Sequence, residues 1–328
     1  MQITSHTFKA NTVKALADVE LQRALGHVEK GFIDKRQTAV DALPEFDALR
    51  DNAVAIKNHT LKHLDLYIEA YVAKVEASGG IVHFAEDADH ARKIFLDIAR
   101  KRNAKTVTKG KTMISEEIGL NAFLEENGIV PVETDLGEYI IQLRGEHPSH
   151  IIAPAVHVTR DQVEADFRRV HVDLDPNRNL VEPETLLGEA RQILRRKYAE
   201  ADIGVTGANF LIAETGSSVI VTNEGNGDLT QLLGKCHVVL ASIEKLVPTL
   251  EDTAQILRIL ARSATGQDMS VYTTLSTGPK RDADLDGPEE YHVILLDNGR
   301  SNMLGTEFEE MLRCIRCGAC MNHCPVYH

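Results

Sequence analysis

Downstream of Gly80 the chain alternates short apolar runs with longer amphipathic stretches: GIVHFA, a helical stretch through His90 to Arg102, KTVTKG, MISEEIGLNAFLEENG, then IVPVE. Neighbouring parallel strands need a crossover of a dozen or more residues, so strand–helix–strand–helix–strand is the pattern of a mainly parallel sheet flanked by helices. This predicts an α/β domain over residues 80–300, with an antiparallel ribbon inside it. HIIAPAVH, CHVVLASI, VYTTLST and YHVILLD read as further strands. FLIAETGSSVIVTNEGNGD reads as a hairpin turning between Glu214 and Ser217, followed by a polar loop from Asn223 to Asp228. TRDQ, Thr159 to Gln162, has the spacing of a capping box opening a helix through Arg169. Glu182–Pro183 and Thr249 start two more helices, and Lys280 to Glu290 is an exposed charged loop.

Residues 1–79 have a different texture. Leu61, Leu64, Ile68, Tyr71, Val72 and Val75 recur at helical spacing, as do Val13, Leu16, Val19 and Leu25. They predict a helical N-terminal region that covers another part of the fold. The formal net charge of −13 argues against nucleic acid or an anionic membrane as partner. No apolar stretch has the length of a membrane span, and MQITSHTFKANTVKAL lacks the pattern of a signal peptide. The expected location is cytoplasmic.

Four of the five cysteines fall within eleven residues: Cys314, Cys317, Cys320 and Cys324, in the pattern C-x2-C-x2-C-x3-C followed by Pro325. Clustered thiols in a cytosolic chain point to metal rather than disulfides. A tight loop turns three thiolates toward three corners of a [4Fe–4S] cube, and the fourth cysteine leaves at the start of the next segment. Zinc is the alternative, but structural zinc more often uses two separated C-x2-C pairs. Thr306 and Glu309 have capping-box spacing, predicting a short helix that delivers Arg313 and Cys314 on an arm outside the sheet. The fifth cysteine, Cys236, sits in an apolar run and reads as a core thiol. In two-cluster ferredoxins the fourth cysteine of such a run ligates the other cluster. Cys324 therefore closes a single cluster, or shares one with a partner, or belongs to a longer protein of which residues 301–328 are the start of a ferredoxin-type segment. The chain's ending four residues after Cys324 favours the last of these.

The runs TGANFLIAETGSSVIVTNEGNGDLT, IEKLVPTLED, YTTLSTGP and CIRCGACMNHCPVY resemble the iron–sulfur B subunit of the bacterial lactate-utilisation complex, which carries a LUD domain. The similarity runs from about Asp18 to the last residue. It implies a cytoplasmic protein acting with two partner subunits in oxidising L-lactate to pyruvate. It also implies a fold similar to the NagB, ribose-phosphate isomerase and CoA-transferase group, and a second cysteine run beyond the first, which this sequence lacks.

Other candidate residues lie in loops. KTVTKGKTM misses the phosphate-loop pattern because Lys105 stands where glycine is required. Lys109, Gly110, Lys111 and Thr112 between a strand and a helix still form a basic turn able to hold a small anion such as a carboxylate. GNGDLT misses the dinucleotide fingerprint at Thr230, so no NAD or flavin motif is evident. Glu214, Thr215, Asn223, Glu224 and Asn226 are placed by the hairpin reading around a ligand at a strand end, with turn chemistry alone as the competing explanation. By fold analogy with CoA-transferases, Glu214 or Glu224 is the candidate for a catalytic glutamate. His59 and His63 share a helix face without a third metal ligand in evidence. Two readings follow: an electron-transfer subunit of a lactate-oxidising complex, or an acyl- or CoA-transferase-like enzyme with a structural cluster.

Overall fold

A computed structural model describes residues 5–324, so Pro325 lies outside the described residues. Its strands, in chain order, are β1 (Ile81–Ala85), β2 (Thr106–Gly110), β3 (Val130–Glu133), β4 (Ile203–Thr206), β5 (Phe210–Ile212), β6 (Ser217–Thr222), β7 (Cys236–Ser242), β8 (Leu246–Val247), β9 (Tyr272–Ser276) and β10 (Glu290–Leu296). Six form one sheet in the order β1-β10-β7-β4-β2-β3, and every pairing in it is parallel. The other four form a second sheet, β8-β5-β6-β9, in which β6 runs antiparallel to both neighbours. The fold is therefore α/β, as the alternation of runs predicts, and the antiparallel ribbon is a separate layer.

The run CHVVLAS shows why the parallel strands are apolar throughout. Cys236, Val238 and Leu240 pack on one face, beneath Phe95 and Ala99 of the helix Ala88–Lys101 and Leu120 and Leu124 of the helix Leu120–Glu126. Val239 and Ala241 face the other way, onto Leu64, Tyr71 and Val75 of the helix Leu64–Ala77 and Leu211 of the second sheet. A strand covered on both faces cannot alternate apolar with polar residues. Asp87 fixes the start of the first of these helices, its carboxylate accepting from the His90 N–H at 2.8 Å.

The later N-terminal helices are built into the same cores, but the helix Phe8–Ala17 buries no residue and Val13, Leu16 and Val19 are exposed, so the earlier amphipathic run does not cover the fold as its spacing predicts. Phe46, Ala53 and Ile56 of the helix Phe46–Lys62 pack with Phe210, Ile212 and Val219 of the second sheet and with Ile256, Ile259 and Leu260 of the helix Leu250–Thr265. Among the described residues no helix is long and apolar enough to cross a membrane.

Several local expectations hold. Thr159 and Gln162 form the capping box, the hairpin turns after Ile212, and helices begin at Pro183 and Leu250. Others do not. HIIAPAVH is no strand: it is a run of turns, and Pro154 has no N–H to give to a ladder. MISEEIGLNAFLEENG is two helices, broken where Gly119 takes φ +64°. The polar loop after β6 stops at Gly225, because Asn226–Leu233 is helical. Thr306 and Glu309 do not cap an α-helix. Glu309 accepts from the Gly305 N–H at 2.6 Å and a 3-10 turn, Glu309–Arg313, follows.

Candidate functional site

The chain leaves β2 toward β3 on one side and leaves β4 toward β7 on the other. Where consecutive connections diverge like this, a crevice opens at the carboxyl ends of the strands. A cavity of about 730 Å³ lies there, bordered by Lys111 after β2, Asp135 after β3, Gly207 after β4 and Lys245 after β7. Gly207 permits the close approach of the two diverging connections, since a Cβ at this position would sit 2.4 Å from the Lys111 carbonyl oxygen. Residues 151–156 of the turn-rich run form another wall.

The two lysines of the KGK turn part company. Lys109, 1% exposed, is drawn under the sheet, its Nζ 2.7 Å from Glu133, 2.8 Å from Glu116 and 2.6 Å from the Ser115 hydroxyl. Lys111 takes φ +55° and turns to the cavity, where it pairs with Asp135 and, at 3.2 Å, with Glu224. Glu138 lines the same wall, and its buried Oε2 has no hydrogen-bond partner among the described residues. Burial, with Glu133 and Asp135 nearby, pushes its pKa up to about 8 against the opposing pull of Lys109 and Lys111.

That shift has a measurable consequence. Between the ordinary value of 4.5 and about 8 the folded chain holds the Glu138 proton while the unfolded chain has lost it. Stability from this group therefore falls as pH rises through that window. Glu138→Gln removes the dependence, so the melting temperature of the variant is expected to gain steadily on the unmodified chain from about pH 4.5 to about pH 8. A gap that stays constant with pH would rule the shift out.

Of the remaining sequence candidates, Asn223 and Glu224 border the cavity. Asn223 donates to Gln267 at 2.9 Å and accepts from the Val271 N–H at 3.2 Å. Asn226 lies in the first turn of the next helix, with its Oδ1 buried. Glu214 caps a helix, accepting from the Leu250 N–H at 2.9 Å, and Thr215 donates to Ser217 at 2.8 Å in the hairpin turn. Glu214 and Glu224 therefore flank opposite ends of the six-residue strand β6, about 20 Å of extended chain at roughly 3.3 Å per residue. His59 bonds Tyr67 at 2.9 Å, and its ring lies 4.9 Å from that of His63, tilted 55° to it.

The cysteine segment docks on the body of the protein. Leu312 is buried, and Ile315 and Cys317 pack against the core that contains Phe46, Ile212 and Val247. Asn322 is buried against His150 Nε2 at 2.9 Å. Left-handed conformations at Arg316, φ +59°, and Gly318, φ +75°, curl the loop, and the Arg316 N–H donates to Cys314 Sγ at 3.4 Å. Three soft sulfur donors on a curled loop with an N–H directed at sulfur fit a thiolate-ligated iron–sulfur cluster. Cys324 follows the short helix Ala319–Asn322. Arg316 and Cys317 also border the cavity, so the cysteine loop and the strand-end crevice form one site.

Two buried lysines stand behind it. Burial holds Lys57 and Lys245 down to about 8, helped by Lys245 at Lys57 and by Arg316 and Arg300 at Lys245, while Glu244 and the Cys314 thiolate act on both in the opposite direction. Lys57 is committed to the backbone, donating to the Glu244 and Leu246 carbonyls. Sequence reasoning missed Lys245 and Glu138. Their signal was position, since each follows an apolar strand run, CHVVLASI or IVPVE, at the end where α/β sheets place their sites.

Among the described residues one group of His, Cys, Asp or Glu brings three ligand atoms within 4.8 Å of one another: Cys236, Glu290 and His292. It lies at the opposite, amino-terminal end of the central strands β7 and β10, where Arg102 already pairs with Glu290 at 2.6 Å and burial pushes the Cys236 thiol up to about 12. That supports the reading of Cys236 as a core thiol.

A parallel sheet with its cavity at the strand ends and a cysteine loop against that cavity is an α/β body joined to a cysteine-rich arm. The LUD domain model matches residues 68–296, and the chain belongs to this LUD-domain family. Lactate utilization protein B of Bacillus subtilis is 42% identical over 328 residues, covering 100% of this chain and 68% of that protein. The protein of Escherichia coli K12 described as uncharacterized electron transport protein YkgF is 41% identical over 325 residues, 99% of this chain and 68% of that one. A solved DUF162-family structure from Deinococcus radiodurans aligns with a TM-score of 0.38 at 12% identity, covering 71% of this chain and 98% of that one.

Proposed function

We propose that this chain is a cytoplasmic iron–sulfur electron-transfer subunit of a multi-subunit complex that oxidises L-lactate to pyruvate. The observation that carries the reading is that Cys317 belongs both to the cysteine loop and to the wall of the strand-end cavity. The names of the relatives, lactate utilization protein B and electron transport protein, support it. Cys314, Cys317 and Cys320 hold a [4Fe–4S] cluster, with Cys324 as the fourth ligand or as ligand to a second cluster. When bound, the cluster supplies single-electron transfer.

The protein's own residues do the rest. Ile315 and Leu312 anchor the loop against the core, which holds Cys317 in place before loading. Lys57 and Lys245 place positive charge behind Cys314, which offsets the anionic charge of a loaded site. Oxidation of lactate to pyruvate releases two electrons and two protons. A one-electron centre therefore serves as relay, and the two-electron step falls to the other subunits.

The test is a complex reconstituted with its partner subunits. L-lactate should drive electrons to an external acceptor, and Cys314→Ser should stop the flow while Glu224→Gln preserves it. Flow that survives the cysteine change, or an acyl-transfer activity lost only with Glu224, would favour the transferase-like reading instead.

A further inference from the structure

The cavity is electrically two-sided. Around Lys111 its wall carries Asp135, Glu138 and Glu224, and the lysine is already paired with two of these. At the cysteine loop the wall carries Lys245 and Arg316. Lys245 is 5% exposed, yet among the described residues its ammonium has no hydrogen bond or ion pair. The nearest carboxylates are taken. Glu244 is held by Arg300 at 2.9 Å and by the Ser242 hydroxyl at 2.7 Å. Glu117 receives Arg300 at 2.8 Å and Asn298 at 2.7 Å, leaving Arg316 a contact of 4.0 Å. Asn209, also in the wall, spends its side-chain oxygen on the Val221 N–H at 2.9 Å, which leaves its amide nitrogen free to donate.

A buried ammonium without a partner is costly, and truncating it to an apolar side chain of similar length is ordinarily neutral or stabilising. The anionic charge of a loaded cluster faces Lys245 from the Cys314 side; toward the cavity, where Arg316 and the free Asn209 amide share the wall with it, an anion is still needed to complete the set. We propose that Lys245 and Arg316, with Asn209, form the seat for the carboxylate of a small organic acid, bound in the cavity beside Cys317.

Acidic groups at the Lys111 end exclude a second anionic group there, so the ligand is a monocarboxylate. Between the two ends the wall is apolar, through Ile152, Val221 and Leu260, and suits a short aliphatic body. Identification of the acid as a 2-hydroxy or 2-oxo acid rests on the electron-relay reading above; the carboxylate seat itself does not. If the ligand is lactate or pyruvate, the seat is a binding element for the acid on the relay subunit, apart from the subunits that carry the two-electron step.

The experiment is anaerobic calorimetric titration of the full chain, cluster-loaded, with pyruvate, and with lactamide as a neutral control. Pyruvate should bind and lactamide should not. Lys245→Met should weaken pyruvate at least tenfold while melting no lower than the unmodified chain, since it removes an unpartnered charge. Equal binding by the variant, equal binding of the two compounds, or no binding of pyruvate would overturn the seat. Iron and acid-labile sulfide measured on the same samples report the cluster separately. A fully loaded chain that ignores pyruvate fails the seat alone, and a chain that binds pyruvate but never takes up iron fails the relay alone. Should Lys245→Met not fold, acetylation of Lys245 in the unmodified chain, followed by peptide mass spectrometry, tests the seat without a substitution. Pyruvate should protect Lys245 severalfold, and absence of protection would overturn the proposal.

Discussion

Lys109→Met is expected to destabilise the fold by roughly 3–5 kcal/mol, the usual cost of removing one partner from a buried ionic cluster. The side chain is 1% exposed and contacts Glu133 and Glu116 within 2.8 Å. Glu133 is itself only 4% exposed, and one of its oxygens already lacks a hydrogen-bond partner among the described residues. Asn121, which donates to Glu133 at 2.7 Å, cannot neutralise the charge left behind. Glu138, pushed upward by the same burial, would feel the loss as well. Urea unfolding should show a lower midpoint with an unchanged slope. Adding Glu133→Gln to Lys109→Met should recover much of the loss, because the two residues share one network. A single variant as stable as the unmodified chain would mean that Lys109 is solvated rather than sequestered.

The second large effect concerns metal content. Cys317→Ser is expected to take bound iron and acid-labile sulfide to background, because the hydroxyl is a harder and far weaker ligand for iron than thiolate. Cys317 is also the cysteine that packs against the core, so its sulfur has the least freedom to be replaced by a neighbour. Cys236→Ser serves as control. It removes a buried thiol at the amino-terminal end of β7, away from the cavity, and should leave iron and sulfide unchanged. Loss of iron in the control but not in Cys317→Ser would put the metal at the wrong end of the molecule.

Particular residues show how far the sequence could be read. A run such as CHVVLASI announces a strand because both faces of a parallel sheet are covered, which leaves no polar alternation to confuse. HIIAPAVH has the same composition but fails as a strand, since apolar content cannot distinguish a ladder from a wall of turns around a cavity. Proline was the available warning. Strand order is not local information, so no run in the chain reveals that β10 inserts between β1 and β7.

The same limit governs the site. Lys109 and Lys111 look equivalent in KGK, yet the strand ends between them, and the carboxylates that capture Lys109 lie up to twenty-four residues away in sequence. Glu214 and Glu224 look like neighbours and are held apart by β6. The cysteines were legible because a metal loop is local chemistry. Their contact with the cavity was not, because it depends on Leu312, Ile315 and Asn322 docking against residues far away in the chain.

The most direct test of the central claim is iron and acid-labile sulfide analysis of the anaerobically reconstituted chain, with EPR spectra before and after reduction by dithionite. The account predicts iron and sulfide in equal amounts and a paramagnetic signal that appears on reduction and is absent from Cys317→Ser. Zinc in place of iron, with no sulfide and no signal in either state, would contradict it and leave the cysteine loop a structural metal site.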